Sequence, residues 1–236
     1  MSQPPSLNPS DFDGFAADYD AALNRGLSVS GEDKNYFAAG RTQWLKRCLE
    51  KLGQPPARIM DFGCGTGSAT PFVLGSFDVQ TLVGVDISEK SLEVARARHG
   101  SHRVSFAHME RYTPDGTLDL VFCNGVFHHI PLDRRAGAVD YVKRCLRPGG
   151  WFAMWENNPW NPGTRLVMSR IPFDRDAVTL APPQARRLLE AGGFRVVRQD
   201  FLFYFPRPLA WLRPLERALV KLPLGAQYLT LGKSTP

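Results

Sequence analysis

The chain has 236 residues, 43% of them apolar, and a formal net charge of +6. That length supports a full hydrophobic core, and one α/β domain with additions is the simplest partition. No apolar run reaches membrane-spanning length, and the opening Met-Ser-Gln-Pro-Pro-Ser has neither the charged start nor the apolar stretch of a secretory signal, so a cytoplasmic location is expected.

Residues 1–10 are rich in Pro and Ser and are expected to form a disordered tail. Residues 11–53 read as an N-terminal helical lid, in which Ser30 and Asp33 have the spacing of a capping box for a helix that runs to about Leu52 and stops at Gly53 and Pro55. From residue 54 onward, apolar runs at about 58–62, 81–85, 103–107 and 118–123 alternate with helical stretches near 68–76, 88–98 and 133–146, which implies a parallel sheet with right-handed crossovers. A fifth strand is expected at 151–156, after the turn Pro148-Gly149-Gly150. Residues 157–180 hold no steady period and read as an excursion over the strand ends. A helix at 181–191 and strands at 194–203 and 227–231 complete the pattern, with a second insertion at 204–225.

The segment Arg58-Ile-Met-Asp-Phe-Gly-Cys-Gly-Thr-Gly67 carries the most chemistry. A strand that turns sharply into a helix needs residues free to take positive φ, and a ligand pressed on the backbone leaves no room for Cβ; Gly63, Gly65 and Gly67 meet both needs. The spacing is G-x-G-x-G with Ser68 next, not the G-x-G-x-x-G of pyrophosphate-binding dinucleotide loops, so NAD is disfavoured. The second strand ends in Asp86, where a parallel sheet can offer a carboxylate to a ribose.

These residues resemble class I S-adenosylmethionine-dependent methyltransferases of the small-molecule type. The resemblance rests on Asp61-Phe-Gly-Cys-Gly-Thr-Gly67, Val83-Gly-Val-Asp86-Ile-Ser88, Leu118-Asp-Leu-Val-Phe-Cys-Asn124 and Leu146-Arg-Pro-Gly-Gly150, and it spans about residues 34–156. It implies a Rossmann-like, doubly wound, seven-stranded and mostly parallel sheet whose last strand is antiparallel. It also implies S-adenosyl-L-methionine as cofactor, held by Asp61, Gly63, Cys64, Gly65, Gly67, Asp86, Ile87, Met109, Glu110, Asn124 and Gly125, with Tyr19 of the lid closing over the methionine tail.

A sulfonium methyl is already activated, so the protein's task is to hold and align an acceptor and, for some acceptors, to take its proton. His128 and His129 follow the fourth strand and are the candidate bases. Glu156, Asn157 and Asn158 end the fifth strand and are expected to line the substrate pocket. After the fourth strand stands Asn124-Gly125-Val126-Phe127 rather than the Asn/Asp-Pro-Pro-aromatic motif of amino-nitrogen methylation, which favours a small hydrophobic or amphiphilic acceptor methylated at oxygen or carbon. A non-catalytic cofactor-binding protein and an RNA or protein methyltransferase are the alternatives. Basic residues are scattered rather than blocked, so no nucleic-acid partner is expected. The aromatic and cationic segment 201–221 is read first as a roof packed on the sheet and second as a weak membrane contact. Cys48, Cys64, Cys123 and Cys145 show no C-x-x-C spacing and are expected to be reduced; no metal site is expected.

Overall fold

The computed structural model describes residues 19–174 and 177–235, residues 19–22 by backbone alone. The expected disordered tail and the Tyr19 side chain lie outside what is described. Seven strands form one sheet: β1 Arg58–Phe62, β2 Thr81–Asp86, β3 Val104–His108, β4 Leu118–Asn124, β5 Leu146–Asn157, β6 Phe194–Leu202 and β7 Gln227–Ser234, in the spatial order β3-β2-β1-β4-β5-β7-β6. The first five strands are parallel, and β7 runs antiparallel between β5 and β6.

The helices are α1 Tyr19–Leu27, α2 Lys34–Lys51, α3 Thr70–Ser76, α4 Glu89–His99, α5 Arg135–Cys145, α6 Pro162–Arg170, α7 Pro182–Ala191 and α8 Glu216–Leu219. Both faces of the sheet are covered, so the central strands read as unbroken apolar runs. Ile59, Leu82 and Leu120 pack with Leu45 and Leu49 of α2, Val73 of α3 and Leu92 of α4. The alternate residues Met60, Val85 and Val121 pack with Val139 and Val142 of α5 and with Ala185 and Leu189 of α7. The four cysteines are buried and unpaired.

Three local expectations change. The cap of α2 is Asp33, whose carboxylate accepts the Tyr36 N–H at 2.9 Å, while the Ser30 hydroxyl donates to the Leu27 carbonyl inside a preceding 3-10 turn. Gly31, at φ 76°, closes that turn, and the chain re-enters a helix only after the extended Asp33. Strand β5 starts at Leu146 rather than Trp151; Pro148-Gly149-Gly150 is an irregularity within it, between the pairs Leu118 with Leu146 and Leu120 with Trp151. The excursion 157–180 contains α6, capped by Asn161 and opened by Pro162, and a 3-10 turn at Pro172–Asp174. Proline suits the first helical position, since its missing N–H would have no intrahelical partner there.

The 204–225 insertion does not roof the pocket. Its 3-10 stretch Arg207–Leu215 packs beside the start of α2, where Arg213 lies 4.4 Å over the Tyr36 ring and bonds Glu32 at 2.7 Å. Among the described residues no helix is long and apolar enough to cross a membrane. Replacing Asp33→Ala removes the cap that seats α2, and urea denaturation is expected to show a loss of about 1 kcal/mol with an unchanged slope.

Candidate active site

Parallel register brings the carboxyl ends of β1 to β5 to one edge: Phe62 stands beside Val85 and Cys123, Asp86 beside His108, and Asn124 beside Trp155. The glycine loop leaves β1 at this edge. Gly63 and Cys64 donate their N–H groups to the Val85 carbonyl at 2.8 and 3.1 Å, which ties the loop to β2. Asp86 then bridges loop and helix, one oxygen accepting Gly65 N–H at 2.8 Å and the other Ser88 N–H at 2.9 Å. Ser88 is itself the cap of α4.

The loop fits a nucleoside ligand. Gly65 takes φ 51°, and a Cβ built there meets no atom within 4 Å, so this backbone faces open space; at Gly63, φ 73°, a Cβ would collide with Val126. Each Asp86 oxygen has a second lone pair, so the carboxylate can take ribose hydroxyls while it holds the two amides. Ile87 is half-buried and its carbonyl accepts from His108 Nε2 at 3.0 Å, and Met109 and Glu110 follow in a 3-10 turn at the same edge. Met109 is half-buried against the α5-side core, whereas Glu110 is exposed. Cys64 is buried, and burial pushes its thiol up, away from reactivity.

Asp61, 4% exposed, lies at the tip of β1. Burial and the neighbouring Asp86 charge push its carboxyl up to about 7, against the opposing pull of Arg41. A cation placed beside it would relieve that cost.

Next to this edge is a cavity of about 90 Å³. Its walls combine apolar groups of the helices, among them Leu27, Phe37 and Val167, with Lys34, Arg41, His129 and Asn157. Lys34 bonds Ser68 of the glycine loop at 3.1 Å, and Arg41 bonds Gln227 of β7 at 2.8 Å. The structure thus joins α2 to both ends of the site. No residue of the 204–225 insertion lines this cavity.

The two histidines have different surroundings. His128 is buried, donates Nδ1–H to Glu156 at 2.6 Å, and places Nε2 3.5 Å from Asp174. Burial disfavours its charge, but the Glu156 carboxylate and the bonds to Asp174 and Glu156 outweigh that and raise it to about 10. With Nδ1 committed to Glu156 and Nε2 turned to Asp174, the ring is engaged on both nitrogens, which departs from the base role expected for it. His129 borders the cavity with Nε2 3.3 Å from Asp174; burial and the neighbouring His128 lower its pKa. Burial alone would raise Asp174, yet the two imidazoles bring it down to about 2.

Two pocket expectations are also corrected. Glu156, 1% exposed, spends its oxygens on Phe127 N–H and His128, and Asn158 is fully buried, bonding Pro223, Gly225 and Trp160 backbone. Of the three, Asn157 alone reaches the cavity wall, bonding Gln227 through its Oδ1. Asn124 and Gly125 do line the cavity, and Gly125 N–H donates to the Trp155 carbonyl at 2.9 Å. The sequence reading missed Asp174, Lys34 and Arg41. Arg41 was legible as a cation on the buried stripe of α2, four residues from both Phe37 and Leu45; Asp174, in an aperiodic stretch, gave no signal.

Residues 60–152 match a family model described as a methyltransferase domain. The chain is 31% identical over 178 residues to the trans-aconitate 2-methyltransferase of Methylobacterium nodulans, covering 75% of this chain and 64% of the relative. It is 33% identical to that of Acidovorax ebreus, covering 67% of this chain and 62% of the relative, so the match spans just under two thirds of these relatives. In fold it is similar to an S-adenosylmethionine-dependent methyltransferase structure from Thermotoga maritima, with TM-score 0.65, 19% identity, and coverage of 95% and 98% of the two chains. Residues 60–152 thus match a methyltransferase domain by sequence, and the chain has the fold of the Thermotoga maritima structure.

The raised Asp61 carboxyl predicts how cofactor binding depends on pH. Protonation of Asp61 opposes capture of a cation, so affinity for S-adenosylmethionine is expected to rise by about tenfold per pH unit up to about 7 and then level off. In the free protein the sign reverses: the native state holds this proton longer than the unfolded chain, so Asp61 makes the fold less stable as pH rises from about 4 to 7. Calorimetric titration of the wild type and of Asp61→Asn checks this; the variant should bind more weakly and with a flat profile.

Proposed function

We propose that the protein transfers a methyl group from S-adenosylmethionine to a carboxylate oxygen of a small amphiphilic acid. The observation that carries this reading is the pair of cations, Arg41 and Lys34, at the wall of a small cavity of mixed apolar and polar lining beside the glycine loop. A guanidinium suits a carboxylate because its planar fork can donate two parallel hydrogen bonds. The cofactor supplies an electrophilic methyl when bound; Asp61, the three glycines and Asp86 would hold it. The trans-aconitate methyltransferases, 31% and 33% identical, act on a small carboxylic acid, which agrees with this chemistry. The cavity volume argues for a compact acceptor and against an RNA or protein chain threaded into the site.

A carboxylate is already ionised at neutral pH, so this acceptor has no proton to give up and the site needs no general base. The protein's contribution is then alignment and exclusion of water: Arg41 fixes the acceptor, and α1, α2 and α6 close over it. Incubation with methyl-labelled cofactor and a panel of small mono-, di- and tricarboxylic acids tests the proposal. Formation of a base-labile methyl ester is the expected result, and transfer only to amines, phenols or carbon would overturn it. With the preferred acid, Arg41→Gln is expected to raise KM by about tenfold or more, the order of one lost charged hydrogen bond, with a smaller change in cofactor affinity.

A further inference from the structure

His128, His129 and Asp174 each offer a ligand atom at the cavity wall, and these atoms all lie within 4.8 Å of one another. We infer that they form a site for a divalent first-row transition metal, which orients the acceptor through an oxygen other than the one methylated; this last part rests on the carboxylate reading above. Four observations support the site. Asp174 lies 3.3 Å from His129 Nε2 and 3.5 Å from His128 Nε2, longer than the charge-assisted bonds usual for such pairs, about 2.7–2.9 Å. Two ligands each about 2.1 Å from a zinc-sized ion stand about 3.0 Å apart at a right angle and about 3.4 Å apart at the tetrahedral angle, so the observed separations are close to the edges of a coordination polyhedron. The side between the two imidazoles is the one that must shorten on binding.

The second observation is the support behind the ligands. His128 donates Nδ1–H to the buried Glu156 at 2.6 Å, which fixes the ring and directs Nε2 at Asp174; a ligating histidine is oriented by a carboxylate in this way. Glu156 is fixed in turn by Phe127 N–H at 2.8 Å. Third, the ligands are largely buried, His128 by 98% and Asp174 by 93% of their side-chain surface, but the cluster borders a cavity, so the ion keeps open positions for water or an acceptor oxygen. Fourth, the donor set of two imidazoles and one carboxylate selects transition metals over Mg²⁺ and Ca²⁺, which take oxygen ligands. The sequence reading expected no metal because the ligands come from two segments, one after β4 and one after α6.

The test is metal binding by the full chain, purified without a histidine tag and stripped with chelator. Titration with Zn²⁺ is expected to give one ion per chain, and Co²⁺ should produce the visible absorption of a low-coordinate nitrogen and oxygen site. His129→Ala and Asp174→Ala should each weaken Zn²⁺ by more than the roughly tenfold to hundredfold loss expected for Glu156→Gln, which alters only the support of one ligand. Far-UV circular dichroism and binding of S-adenosylmethionine report whether each variant is folded. Absence of a stoichiometric ion in folded wild-type protein, or equal affinity in folded His129→Ala, overturns the site. Cofactor binding and ester formation that persist in the metal-stripped enzyme leave the carboxylate reading standing and remove the acceptor-orienting role.

Discussion

Two carboxylates at the ends of neighbouring parallel strands set the character of this molecule. Asp61 and Asp86 are held near each other by the β1–β2 register, and the low local dielectric makes their simultaneous ionisation costly. Asp86 offsets part of the cost through the Gly65 and Ser88 amides, and burial leaves Asp61 the more perturbed of the two. A ligand that is cationic near one carboxylate and rich in hydroxyls near the other meets both needs. The loop glycines are the matching steric condition, since a side chain at Gly63 would strike Val126 and one at Gly65 would fill the space such a ligand requires.

The other end of the site depends on a different construction. The excursion after β5 is held by apolar contacts through Ile171, Phe173 and Leu180 and by hydrogen bonds from Thr164 to the Ala226 carbonyl and from Arg135 to the Val178 carbonyl. In addition Asp174 reaches the imidazoles that follow β4, and His128 passes the connection to Glu156 at the end of β5. Such a chain of buried charges gives little net stability compared with apolar packing, but removing one member strands the others without a partner. Its use is specificity of position: it sets where the excursion crosses the strand ends, and hence the shape of the cavity.

The strand and helix alternation was legible in the sequence because it depends on local signals, and the reversed final hairpin followed from the family resemblance. Doubly buried strands are written as apolar runs, and sharp turns are written as glycine. What escaped was set by contacts between distant segments. The pairing of His128 with Glu156 joins residues 28 positions apart, and Asp174 stands in a 3-10 turn after a helix that opens with proline and glycine, residues that read as loop. Glu156 and Asn158 were read as pocket groups because they end a strand at the right edge; side-chain alternation and backbone bonding turn them inward instead. The same limit explains the two histidines. Adjacent residues looked equivalent in sequence, yet both face Asp174 at the cavity and only His128 also meets Glu156.

The separation of charge along the site bears on rate as well as on binding. Transfer of a methyl group from a sulfonium to a carboxylate starts with two opposite charges and ends with none, so the transition state carries less charge than the reactants. Water stabilises the reactants more than it stabilises that transition state, and a cavity that replaces water with Leu27, Phe37 and Val167 removes the advantage. A wholly apolar enclosure would also exclude the charged reactants. Asp61 for the cationic reactant and Arg41 with Lys34 for the anionic one resolve this, each compensating the charge of one reactant within the enclosure. Arg41 is therefore best suited to the carboxylate it neutralises only in part: a guanidinium already shared with Gln227 binds the anion firmly enough to align it and weakly enough to let its charge pass to the new bond.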